Sequence, residues 1–165
     1  MQIDIVNENN IPVGVIDRSN VLGSGKNFRT VHAWLRNSNN ELLLQRLVKD
    51  HPRSPHMLGS SVAGYLHAGE TYGEAIVRKS VLEVGRKPFD LKKVGVVLMS
   101  DEGSTKFVSL YIGRFEDDPK TQDLKIEGFE TIGLEALDQR FHRSPESFTA
   151  TFGAIFSELR RRIDW

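Results

Sequence analysis

The chain has 165 residues, with 22 lysines and arginines, 22 aspartates and glutamates, and no cysteine. That length suits one ordinary domain over residues 1–165, and a formal net charge of zero lacks the basic surplus by which a general nucleic-acid binder displaces counterions. The missing cysteines exclude a disulfide scaffold, a thiolate zinc site and a cysteine nucleophile, and no apolar run approaches the roughly 18 residues that span a bilayer.

The first residues, Met1-Gln2-Ile3-Asp4-Ile5, carry early acid and no basic segment, so no secretory leader is expected. The expectation is a cytoplasmic monomer or homodimer. Ile3–Ile5 alternates briefly, and Val13–Asp17 reads as a second short strand beyond the turn cluster Asn7–Asn10. Asp17 to Phe28, with Gly23 and Gly25, reads as irregular. From Arg29 the alternation of Val31, Ala33 and Leu35 with His32, Trp34 and Arg36 predicts a half-buried strand. After Asn37–Asn40, Glu41–Leu47 reads as its hairpin partner. Val48–Met57 is expected to be a loop, with Pro52 and Pro55 amid charges, and Ser60–Gly64 a short strand of small residues.

Thr71-Tyr72-Gly73-Glu74 has the capping-box pattern and predicts a helix to about Val84, with Gly85 as a left-handed cap and Pro88 beyond. Val94–Met99 and Phe107–Ile112 read as strands around an Asp101-Glu102-Gly103 turn, and Leu134–Arg140 as a short helix. For the last helix, Ser144 is the expected cap and Pro145 the first turn, with Phe148, Phe152, Ile155, Phe156 and Leu159 as a core stripe. Arg160–Arg162 suits the negative end of that helix. This order predicts an α/β fold: a mixed sheet with helices on its faces.

The chemistry concentrates between Gly64 and Gly85. The spacing is Gly64, five residues, Glu70, seven residues, Arg78, then Glu83-Val84-Gly85. This frame resembles the box of the Nudix family: glycine, five residues, glutamate, seven residues, arginine-glutamate, an aliphatic, any residue, two glutamates, any residue, glycine and an aliphatic. The resemblance extends over Val13 to Leu159, and is to the branch holding isopentenyl-diphosphate isomerase and its hydrolase relatives. It implies an α/β/α sandwich with a mixed, curved sheet. It also implies a strand-loop-helix unit whose glutamates share one helix face and hold magnesium or manganese against a diphosphate.

By that resemblance the catalytic candidates are Glu83, Glu70 and Arg78, the metal candidates Glu83 and the Gly64 carbonyl, and the substrate-binding candidates Arg46, Lys49 and Arg29. Two box glutamates are replaced, by Lys79 and Leu82. A lone carboxylate is a weak site for these cations, and Lys79, four residues before Glu83, can pair with it. Glu74 and Arg78 are also four apart and can brace the helix. The cysteine and histidine that flank the box glycine in the isomerase are Ala63 and Tyr65 here. Its later acidic pair gives way to Lys106–Leu110, so the isomerase reaction is not implied. His32 matches a metal-site histidine of that enzyme and is also an ordinary strand residue.

Gly23-Ser24-Gly25-Lys26 lacks the spacing of a phosphate loop. His51 and His56 have no spaced carboxylate partner, and Arg53 adds to the basic group of Arg46 and Lys49. Asp101 and Glu102 could supply a replacement acid. Two functions follow as expectations. One is a magnesium- or manganese-dependent pyrophosphohydrolase acting on nucleoside diphosphates linked to another moiety. The other is a non-catalytic Nudix-fold module that binds a small phosphorylated ligand or a protein. Neither nucleic acid nor membrane is an expected partner.

Overall fold

The computed structural model describes residues 1–165. Strands β1 (Gln2–Val6) and β2 (Pro12–Asp17) form a separate antiparallel ribbon. The main sheet contains β3 (Phe28–Arg36), β4 (Glu41–Leu47), β5 (Leu58–Gly59), β6 (Val62–Tyr65), β7 (Phe89–Asp101), β8 (Ser104–Arg114) and β9 (Ile126–Gly133). Its spine runs β5-β4-β3-β8-β7, with β6 also on β3 and β9 also on β4. Only β3 and β8 run parallel, Phe28 opposite Lys106 through Arg36 opposite Arg114, so the sheet is mixed as expected.

Helix α1 (Tyr72–Val84) covers one face, and α2 (Leu134–Arg143) and α3 (Ala150–Leu159) the other. This is the α/β/α sandwich. Side-chain alternation divides β3 between the two cores: Val31, Ala33 and Leu35 meet Ala75 and Ile76 of α1, while Trp34 stacks on Phe152 of α3 at 4.9 Å. β3 is therefore buried on both faces rather than one. No helix is long and apolar enough to cross a membrane.

Local chemistry sets the ends of α1. Thr71 accepts the Glu74 N–H at 3.1 Å, and Gly85 closes the helix at φ 100°, where a Cβ would approach the Lys120 carbonyl oxygen to 2.9 Å. The last helix starts later than expected. Pro145–Ser147 forms a 3-10 turn, and Phe148 is extended, which sends its ring into the core. Thr149, not Ser144, caps α3 by accepting the Phe152 N–H at 3.2 Å. The expected core stripe Phe148, Phe152, Ile155, Phe156 and Leu159 is buried throughout.

The expected hairpin is short. β3 and β4 pair only at Leu35–Leu43 and Arg36–Leu42 and then part. Beyond the fork, β3 takes β6 and β4 takes β5, so residues 58–65 wedge into the gap. Ser61 sits at the vertex with no exposure. Its Oγ accepts the Leu35 N–H at 2.8 Å and donates to the Leu43 carbonyl, replacing the lost ladder. Strand β7 begins at Phe89, five residues before the expected Val94, and reaches its full length only through register shifts at Phe89/Lys92 and Lys93/Gly95. Ser61→Ala should cost about 1–3 kcal/mol, because it strands a buried N–H and a buried C=O. Urea denaturation would measure this, and an unchanged midpoint would remove the vertex role.

Candidate functional site

A cavity of about 640 Å³ opens around the fork. Its lining comes from α1, β3, β4, β6, β8, the start of α3, and the loops around Arg53 and Asp123.

On the α1 side the central feature is a buried ion pair. Lys79 Nζ lies 2.8 Å from Glu83 Oε2, with side chains 14% and 3% exposed. Glu83 Oε1 accepts two further hydrogen bonds, from Gln45 Nε2 and from the Ala63 N–H, each at 3.0 Å. Glu83 thus ties α1 to β4 and β6 on either side of the fork. Burial pushes the Glu83 carboxyl up, while Lys79 and the two N–H groups act in the opposite direction. The Lys79 stem lies directly over Gly64, where any Cβ would overlap it. Gly64 therefore makes the space the lysine fills.

A magnesium or manganese ion asks for several converging oxygens. Around Glu83 the neighbours are one ammonium and two N–H donors, and the chain contains no group of three or more His, Asp or Glu side chains placed to hold a metal. Leu82 also lines the cavity and offers no oxygen. These residues do not fit the cation of the box.

Glu70 and Arg78 form a two-pronged pair: Nε to Oε2 at 2.8 Å and one terminal nitrogen to Oε1 at 2.9 Å. The same nitrogen reaches the Tyr65 carbonyl, and Glu70 accepts the His67 N–H. Burial opposes the charge on Glu70, yet Arg78 and the His67 N–H hold its carboxyl below the usual range. Arg78 thus bonds across the loop to Glu70 rather than along the helix to Glu74. Arg78 lines the cavity and Glu70 stands behind it.

The three basic candidates lie elsewhere. Arg46 pairs with Glu130 and donates to the His56 carbonyl, and Arg29 donates to Asn10 beside the Tyr72 ring. Lys49 is exposed on the surface, and none of the three lines the cavity. Of the box candidates, the structure brings Gly64, Arg78 and Glu83 to the cavity.

On the α3 side stand residues that sequence reasoning passed over or gave another role. His32 Nδ1 lies 2.8 Å from Ser60 Oγ, which accepts the Trp34 indole N–H at 3.0 Å. While accepting from Trp34, Ser60 has its own hydroxyl proton to offer Nδ1, an arrangement that suits a neutral ring with its proton on Nε2. Burial, helped by the charge of Lys106, drives His32 down to about 3. Lys106, 7% exposed, donates to Asp101 Oδ2 at 3.0 Å and to Thr151 Oγ1 at 2.7 Å. Burial lowers its pKa while Asp101 raises it, with a net lowering. Asp101, a candidate replacement acid, is instead bound by Lys106 and Arg53. The clue to Lys106 was a lysine at an inward position beside Phe107-Val108.

Residues 26–152 match the family model described as NUDIX domain, and the chain belongs to the Nudix family. An isopentenyl-diphosphate Delta-isomerase of Pectobacterium atrosepticum is 24% identical over 96% of this chain and 90% of its own. An uncharacterised Nudix hydrolase of Nostoc is 32% identical over 82% of this chain and 83% of its own. Among solved structures, a Deinococcus radiodurans protein superposes with a TM-score of 0.77 at 29% identity, covering 98% of both chains. The Nudix domain of Shewanella oneidensis NrtR, solved with ADP ribose, superposes with a TM-score of 0.62 at 15% identity over 90% of this chain and 94% of that one. The family supports pyrophosphohydrolase-type function in general, and its hydrolases generally use divalent metals.

Between pH 6.5 and about 3 the unfolded chain binds a proton at His32 that the folded chain refuses, so stability is lost as pH falls through that window. The slope is at most about 1.4 kcal/mol per pH unit. His32→Gln keeps an acceptor for Ser60 and should flatten the urea midpoint between pH 6.5 and about 4.5, above the ordinary carboxylate range. An unchanged slope would show that His32 is not held neutral.

Proposed function

We propose that the chain binds a small phosphorylated ligand, one bearing a diphosphate, in the cavity around the fork. The Lys79–Glu83 pair takes the place of the metal cluster in the family's box. The observation that carries this reading is a charge imbalance. In a chain of zero net charge, the cavity is lined by six lysines and arginines against two carboxylates, Glu83 and Asp123. A cavity lined by one sign of charge concentrates ligands of the other, and guanidinium groups match phosphate through paired hydrogen bonds. The neighbour solved with ADP ribose carries a diphosphate ligand on the same fold.

In this reading Lys79 neutralises Glu83 and braces the open fork, and Arg78 holds the loop before α1 in place. An ammonium supplies countercharge but does not turn water into a nucleophile as a bound dication does. The chain then acts as a binding module rather than a hydrolase. The second reading, a magnesium- or manganese-dependent pyrophosphohydrolase acting on linked nucleoside diphosphates, is favoured by the retained frame of Gly64, Glu70, Arg78 and Glu83.

Incubation of the purified chain with nucleoside diphosphate derivatives and either metal, with nucleotide and phosphate release followed, separates the two. The expected outcome is no release above buffer. Turnover that Glu83→Gln abolishes would establish the hydrolase instead. The double substitution Lys79→Glu, Leu82→Glu should create manganese binding by calorimetry, because it restores the carboxylates at one-turn spacing.

A further inference from the structure

The cations facing the cavity are not equally satisfied. Arg78 is held by both oxygens of Glu70, and Lys79 is held by Glu83, one cation to one carboxylate in each case. On the wall made by β8 and the start of α3 the ratio changes. Asp101 accepts from Lys106 at Oδ2 and from Arg53 at Oδ1, so two cations share one buried anion. Glu102 comes only to 4.0 Å of Arg53 and is 61% exposed, so water screens it. His32, held neutral, adds no charge.

The hydrogen bonds show the same deficit. The Lys106 ammonium has three N–H donors, and Asp101 and Thr151 take two of them. Thr30 lines the same cavity from the adjacent strand β3, and its buried Oγ1 has no hydrogen-bond partner. A surplus positive charge in a wall of low dielectric is costly without a counterion. An oxyanion would supply that counterion and accept the remaining Lys106 N–H.

We infer that Lys106 and Arg53, outside the Nudix box, seat the phosphate oxygens of the ligand, with Thr30 and Thr151 as neutral neighbours. This deepens the binding function proposed above and rests on it. The ligand then lies with its charged end toward the start of α3, away from Lys79.

Calorimetric titration of inorganic pyrophosphate into the full chain tests the placement. Wild type should bind. Lys106→Met should weaken binding at least about tenfold, the scale of a lost hydrogen bond between charged groups. Arg53→Gln should weaken it about fivefold, a lower figure because its side chain is half-exposed. Arg161→Gln removes the same charge beyond the C-terminal end of α3, outside the cavity, and should bind as wild type. Wild-type affinity in both folded site variants would overturn the seat while leaving the cavity reading intact. Equal weakening by Arg161→Gln would reduce the effect to net charge and also overturn it. A wild-type chain that binds no pyrophosphate would overturn the seat and the cavity reading together. If Lys106→Met does not fold, Arg53→Gln decides alone.

Discussion

The structure depends on a split sheet that must be held open. β3 and β4 part after two residue pairs, and every group along the gap must find a substitute partner. Ser61 serves at the vertex, and Glu83 serves further out by accepting from Ala63 on β6 and Gln45 on β4. A carboxylate buried this deeply needs a countercharge, and Lys79 supplies it one helical turn away. Removing either member of such a pair typically costs about 3–5 kcal/mol, because the other is left buried and uncompensated. Glu83 is thus a framework residue as well as a box residue.

The same arrangement gives the residues of the Nudix frame a structural role. Gly64 gives Lys79 room, Glu70 and Arg78 fasten the loop to the helix, and Gly85 ends the helix beside Lys120. Each of these contacts is made by the chain's own side chains and backbone and helps maintain the strand-loop-helix unit. The positive charge of the cavity comes from side chains on both faces of the sheet, so the charge lies where the fork exposes it.

Much of the fold was legible because the periodicities were strong. The course of β3, the caps of α1 and the aromatic stripe of α3 follow from alternation, Thr71, Gly85 and helical spacing, whereas the second buried face of β3, with His32 and Trp34, reads in the sequence as a solvent side. β9 was not legible. Ile126–Gly133 carries two glycines, two glutamates and little apolar alternation, and it is a strand because β4 offers a free edge. The sequence places the start of α3 too early because Ser144-Pro145 mimics a helix opening while Phe148 is drawn into the core. At the site, the Lys79–Glu83 contact followed from four-residue spacing. Lys106 and Asp101 meet within the β7–β8 hairpin, but their meeting with Arg53 and Thr151 depends on tertiary packing of that hairpin against a loop and α3, which no local pattern encodes.

The irregular course of β7 has a consequence for how the molecule behaves among its own copies. β7 is the outer strand on one side of the sheet, thirteen residues long, and its far edge has no strand partner. A flat edge of that length would invite another chain to add on and start a fibre. The two register shifts buckle the strand, and exposed Lys92 and Lys93 sit between them, where a docking strand would have to bury both ammonium groups. The chain thereby keeps a long ribbon of backbone at its rim without becoming a template for aggregation.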